Sequence, residues 1–83
     1  MKVLVLGASG KTGAEVVRQG MAAGHEMTAF VRDPSRLKAS SPHLVVKVGD
    51  ARNVADVARA LEGQEAVIST LGSNKAVDAL IAR

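Results

Sequence analysis

Hydrophobic residues fall along this chain in short bursts separated by glycine-rich or charged stretches. Val3-Leu4-Val5-Leu6 is an unbroken apolar run, the pattern of a central strand covered on both faces, so Lys2 to Leu6 is expected to be a first strand. From about Lys11 to Ala23 the spacing becomes helical, with Val16, Val17, Gly20 and Met21 on one face. Gly24 stands where a helix stop favours glycine. Glu26 to Val31 reads as a second strand. Asp33-Pro34 has the order of an N-cap and a first helical residue, opening a short helical turn. Leu44 to Val48 is expected to be a third strand, ending at Gly49-Asp50. Asn53 to Leu61 reads as a helix in which Asn53 and Asp56 have capping-box spacing. Ala66 to Thr70 is a fourth strand and Leu71-Gly72 a turn, after which Ser73 or Asn74 caps a last helix running towards Arg83.

Alternation of this kind predicts an α/β fold. Its strands form a parallel sheet with helices on both faces, joined by right-handed crossovers. The chain of 83 residues has room for one small domain, residues 1–83, and no linker interrupts it. Phe30 is the only aromatic residue, so the core must be assembled from Val, Leu, Ile, Ala and Met.

Composition then removes several classes of function. There is no cysteine, which excludes disulfides, thiolate metal sites and cysteine nucleophiles. The apolar runs are too short for a signal-peptide core or a membrane span, so the expectation is a soluble, cytoplasmic protein with no membrane partner. Net charge is +3, but the basic residues are scattered and no aromatic platform exists for stacking bases, which argues against nucleic acid. A local anionic ligand accounts for the same excess.

The stretch "GASGKTGAE" narrows that ligand. Its Gly-Lys-Thr resembles the end of a triphosphate-binding P-loop, which needs another glycine five positions before Gly10. That position is Val5, inside the first strand, so the P-loop reading fails on spacing. A dinucleotide-binding loop fits instead: strand, then Gly7-Ala8-Ser9-Gly10-Lys11-Thr12-Gly13, then helix. Gly7 would allow the tight turn out of the strand, Gly10 a close approach of backbone to pyrophosphate, and Gly13 close packing of helix on sheet. A glycine-rich turn without ligand is the competing reading.

In folds of this kind the residues after the second strand meet the adenosine ribose. Here they are Val31-Arg32-Asp33, and with Asp33 used as a cap, Arg32 is free for a 2′-phosphate. Arg36 falls in the first turn of the short helix, where the dipole disfavours a cation unless an anion is bound. Two arginines so close suit a phosphate monoester, hence NADPH over NADH, although a solvated loop explains them too. Asp50 could accept a hydrogen bond from the adenine amino group or cap the following helix. Ser69-Thr70-Leu71-Gly72 ends the fourth strand at the same edge, where Gly72 would let the chain pass close to the nicotinamide ribose, although a plain turn explains it nearly as well. His25 and His43 fall at the opposite end of the sheet, and no metal site can be assembled from them.

"MKVLVLGASGKTGAEVVRQGMAAGHEMTAFVRDPSRL", with "VVKVGDARN" and "AVISTLGS", resembles the start of the atypical short-chain dehydrogenase/reductase proteins with an NAD(P)H-binding Rossmann domain. Within them it is most similar to flavin reductase and biliverdin-IXβ reductase-like enzymes. The resemblance implies a Rossmann-type sheet of four strands in the order 3-2-1-4, half of a doubly wound fold. It implies pyrophosphate on Gly7, Ser9, Gly10, Lys11, Thr12 and Gly13, and the 2′-phosphate on Arg32 and Arg36. Asp50 and Ala51 would border the adenine, and Leu71 and Gly72 the ribose and nicotinamide.

Proteins of that family continue through further strands that complete the sheet and the substrate pocket, and the absence of tyrosine here rules out a Tyr-Lys dyad within this chain. A fourth strand at an open edge is an aggregation template unless covered. The expectation is therefore a homodimer paired at that edge, or a complementary segment that is missing. Three functions follow: the cofactor part of a reductase passing hydride from NADPH to a flavin or similar small acceptor, a non-catalytic NADP(H)-binding or sensing module, or a structural fragment. No residue is a candidate catalytic acid or base.

Overall fold

β1 (Lys2–Leu6) occupies the middle of the sheet. In the computed structural model, which describes residues 1–37 and 41–70, it pairs in parallel with β2 (Glu26–Val31) on one side and β4 (Ala66–Ser69) on the other. β3 (Val45–Val48) lies outside β2, also parallel, giving the order β3-β2-β1-β4. The expected topology is therefore the observed one. The expected final helix, with its Ser73 or Asn74 cap, falls outside the described residues.

The unbroken apolar run of β1 is explained by two separate cores. Val3 and Val5 join Met27, Ala29 and Val31 of β2 on the face covered by α1 (Lys11–Ala22), where Val17 is fully buried. Leu4 and Leu6 point the other way and pack with Phe30, Val57 and Ala60 beneath α2 (Val54–Leu61). Residues on alternate faces of one strand thus feed opposite layers. Burying a side chain such as Leu4 or Leu6, each fully enclosed, contributes about 1.5–3 kcal/mol over leaving it exposed.

Element boundaries shift slightly from expectation. α1 ends at Ala22, with Ala23 as C-cap and Gly24 at φ 89°, the left-handed conformation that stops the helix. β3 begins at Val45 rather than Leu44, whose N–H is held in a local turn by the Ser41 carbonyl at 3.1 Å. Between β2 and β3 the described residues include a 3-10 turn, Pro34–Arg36, capped by the Asp33 side chain as its Asp-Pro order predicts. Asn53 caps α2 by accepting from the Asp56 N–H at 3.1 Å. The reciprocal half of the expected capping box is absent, because the Asn53 N–H is already bound to the Asp50 carbonyl at 2.9 Å.

β3 is more exposed than its apolar sequence suggests. Val45, Val46 and Val48 are 51%, 41% and 61% exposed, against 40% for Ile68 on β4. Among the described residues β3 pairs only with β2 and β4 only with β1, so the sheet has two apolar edges, where the sequence pointed to one.

Candidate functional site

Because all four strands are parallel, their carboxyl ends share one edge of the sheet. Along it lie the Asp50 turn after β3, Arg32 after β2, the glycine loop after β1 and Thr70 after β4. Leaving β1 the chain builds outward through β2 and β3, then returns across the sheet to β4 on the far side. The carboxyl edge at β1 is thus the switch point where open α/β sheets bind ligands.

The glycines of the loop have distinct tasks. Gly7 sits at φ 81°, and its carbonyl accepts from the Gly10 N–H at 3.1 Å, closing a tight turn straight off the strand. A Cβ on Gly13 would come within 2.7 Å of Ala8 Cα and Gly7 C, and closer still to the Gly7 carbonyl oxygen. Gly13 therefore lets α1 close on the loop itself. Gly20 marks a second close approach of α1, over β2, where its Cβ would lie 2.5 Å from Met27 Cε and nearer still to its Sδ, the flexible end of that side chain. Gly10 is different: among the described residues a Cβ there would meet the Gly7 oxygen alone, at 3.6 Å, so its outer side is open to them.

Gly10 is also the N-cap of α1, which has no side-chain cap and no acidic residue in its first turn. The 3-10 turn and α2 both carry capping side chains, Asp33 and Asn53. An uncapped helix start presents N–H groups and the positive end of the dipole to whatever lies in front of it. Lys11 and Thr12 are exposed beside it, at the head of a shallow depression running along α1 past Glu15, Val16 and Gln19. Ser9 is half-buried in the loop and Ala8 beneath it is fully enclosed.

Thr70 anchors the loop from the neighbouring strand end. Its N–H donates to the Leu6 carbonyl at 3.0 Å, and its hydroxyl lies 2.9 Å and 3.2 Å from the Leu6 and Gly7 carbonyl oxygens. No periodicity or motif marks this role; only the pairing of β4 with β1 brings Thr70 there.

Arg32 and Arg36 are exposed, and neither forms an ion pair among the described residues, whereas Arg18, Arg52 and Arg59 each pair with a carboxylate. Arg36 ends its 3-10 turn rather than opening a helix, so the expected conflict with a helix dipole does not arise. The hydrogen bonds of the Ser35 hydroxyl and N–H, with a smaller effect of Arg36, hold the Asp33 carboxyl below the usual carboxylate range.

Asp50 does not cap α2. Its carboxylate accepts from the Arg52 N–H at 2.8 Å and from Arg52 Nε and Nη2 at 3.2 Å each. These bonds, the side-chain ones first, hold its carboxyl below the usual range, with a smaller contribution from the charge of Arg32. Asp56 steadies the turn by accepting from the Asp50 N–H at 3.0 Å. Ala51 is half-buried against the α2-side core. No motif marks Arg52 in the sequence, although an Asp bonding to the N–H two residues on is a legible Asx turn.

His25 and His43 lie at the amino edge, lining a depression with Arg18 and Glu26. Among the described residues no group of three or more His, Asp or Glu side chains could hold a metal ion, and no helix is long and apolar enough to cross a membrane. Leu71 and Gly72 lie outside the described residues.

A central parallel sheet, a glycine turn leading into an uncapped helix, and a switch point at that turn define a Rossmann-type nucleotide-binding fold. Residues 7–83 match the NAD(P)H-binding family, to which the chain belongs. It is similar to a 3-beta-hydroxysteroid dehydrogenase of Mycolicibacterium neoaurum, 44% identical over 69 residues, which are 83% of this chain and 19% of that protein. A Rossmann-fold NAD(P)-binding protein from Shigella flexneri matches with TM-score 0.75 and 30% identity, over 87% of this chain and 38% of that one. A Streptococcus pneumoniae protein described as an NADH-flavin reductase matches with TM-score 0.66 and 32% identity, over 88% and 32%. The chain thus spans well under half the length of these relatives.

Proposed function

We propose that this chain holds NADP(H) along the carboxyl edge of its sheet and forms the cofactor-binding part of a reductase. The observation that carries this is the uncapped start of α1 behind the open side of Gly10, in a chain of the NAD(P)H-binding family. Pyrophosphate would sit there, on the loop of Gly7, Ser9, Gly10, Lys11, Thr12 and Gly13, where backbone N–H groups and the dipole favour an anion. Arg32 and Arg36, which form no ion pair among the described residues at the adjacent strand end, would take the 2′-phosphate. Asp50 and Ala51 would border the adenine, and Leu71 and Gly72 the nicotinamide side. When bound, the nicotinamide supplies the hydride, and the chain's part is to hold and orient the dinucleotide. The Streptococcus pneumoniae relative favours a flavin as acceptor, although its description names NADH. A second copy of the chain, or a complementary segment, would cover the β4 edge.

The test is a titration of NADPH and NADH read by nicotinamide fluorescence, which a chain with no Trp or Tyr scarcely obscures. Saturable NADPH binding, weaker by about tenfold or more in Arg32→Ala while NADH is unaffected, is the expected result. No binding of either nucleotide would refute the reading. Oxidation of bound NADPH by added flavin separates a reductase from a binding module.

A further inference from the structure

The turn after β3 and the start of the segment after β2 leave neighbouring strands at the same edge. Val31 and Val48 are register partners, and the Gly49 N–H donates to the Val31 carbonyl at 3.0 Å. Arg32 follows Val31 and Asp50 follows Gly49, so a cation and a carboxylate emerge side by side. Asp50 feels the charge of Arg32, yet the two form no ion pair. Asp50 is instead held by Arg52 through Nε, Nη2 and the backbone N–H.

An exposed pair of this kind adds little to stability, but it changes what the neighbouring arginine meets. A free carboxylate beside a phosphate-binding arginine acts twice against the phosphate: it competes for the guanidinium and repels the anion. A carboxylate at the end of an adjacent strand can also accept from a ribose 2′-hydroxyl, which favours the non-phosphorylated dinucleotide. The two-pronged grip of Arg52, through Nε on one carboxylate oxygen and Nη2 on the other, weakens both effects.

We propose that Arg52 is a positioning residue that sets cofactor preference: by occupying the Asp50 carboxylate it leaves Arg32 open to the adenosine 2′-phosphate, so that NADPH is taken over NADH. This rests on the reading of Arg32 as a phosphate ligand given above. Arg52 itself need not touch the nucleotide.

The experiment measures dissociation constants for NADPH and NADH in the unaltered chain, Arg52→Gln, Arg52→Gln combined with Asp50→Asn, and Arg32→Ala. Arg52→Gln keeps the backbone N–H bonded to Asp50, so the turn survives; a thermal melt of each variant checks the fold. The NADPH preference is expected to fall about tenfold in Arg52→Gln, as a released carboxylate captures Arg32. Adding Asp50→Asn removes the captor and should return the preference to within about threefold of its original value, a non-additive rescue. An unchanged preference in Arg52→Gln overturns the proposal. So does a fall that Asp50→Asn does not rescue, which would make Arg52 a direct phosphate contact. The Arg32→Ala arm reports on the underlying reading alone: if it leaves the preference unaltered, both readings fall. If it lowers the preference while Arg52→Gln does not, only the role of Arg52 falls.

Discussion

Two glycines three residues apart in the same motif should respond to the same substitution differently, one mainly in stability and the other mainly in nucleotide binding. In Gly13→Ala the new Cβ would lie 2.7 Å from Ala8 Cα and Gly7 C, main-chain atoms of a turn closed by the Gly10 to Gly7 hydrogen bond. No side chain can rotate away, so either α1 or the loop must move. Helix propensity favours alanine by about 1 kcal/mol, but overpacking against fixed backbone costs about 3 kcal/mol, the upper end of its usual range. The net loss is about 2 kcal/mol, or roughly 8–16 °C in Tm for a domain this small. In Gly10→Ala the Cβ meets one atom at an ordinary 3.6 Å, and the poorer N-cap costs about 0.5 kcal/mol, roughly 2–4 °C. Thermal unfolding followed by circular dichroism without ligand separates the two, and NADPH titration of the same samples gives the second axis. Gly10→Ala should keep its fold and lose about tenfold or more in NADPH affinity, because its Cβ enters the space assigned to pyrophosphate. A Gly13→Ala variant melting within a few degrees of the unaltered chain would refute the steric argument. Native NADPH affinity in a folded Gly10→Ala would refute the placement of the pyrophosphate.

Thr70→Val should lower stability by about 1 kcal/mol in denaturant titrations while Thr70→Ser stays close to the unaltered chain, since the hydroxyl rather than the methyl group holds the Leu6 and Gly7 carbonyls; equal losses in both would sink the anchoring role. Acid should destabilise the chain by a small amount through Asp33 and Asp50, solvent-screened carboxyls that are held below the usual range in the folded state. Their contribution is fully present above the unfolded carboxylate pKa of about 4 and is lost as pH falls through the lower folded values. Melting temperatures measured from neutral pH to pH 2 should therefore drop on the acid side, and less steeply when both residues are changed to Asn. An identical acid limb in that double variant would show that other carboxylates govern it.

The sequence by itself determined the kind of fold and the position of the loop. An unbroken apolar strand, a helix of 3.6-residue period and glycines at the left-handed turns of Gly7 and Gly24 are local constraints, written in neighbouring residues, and the order 3-2-1-4 came with the family resemblance those residues carry. Local capping was equally legible: Asp33 before Pro34 and Asn53 before Asp56 act within one turn. Tertiary structure alone decided what meets across strands. Gly20 lies close over β2 because Met27 stands beneath it. Thr70 reaches Gly7, 63 residues away, because β4 pairs with β1. Arg32 stands beside the Asp50 turn because β2 and β3 share a register in which Val31 meets Val48. β3 is exposed despite its valines because it lies at an edge of the described sheet and the connection before it includes only a 3-10 turn among the described residues. Periodicity states which face of an element is apolar, whereas strand order and register select the partner of each face, and a one-dimensional pattern contains no term for that choice.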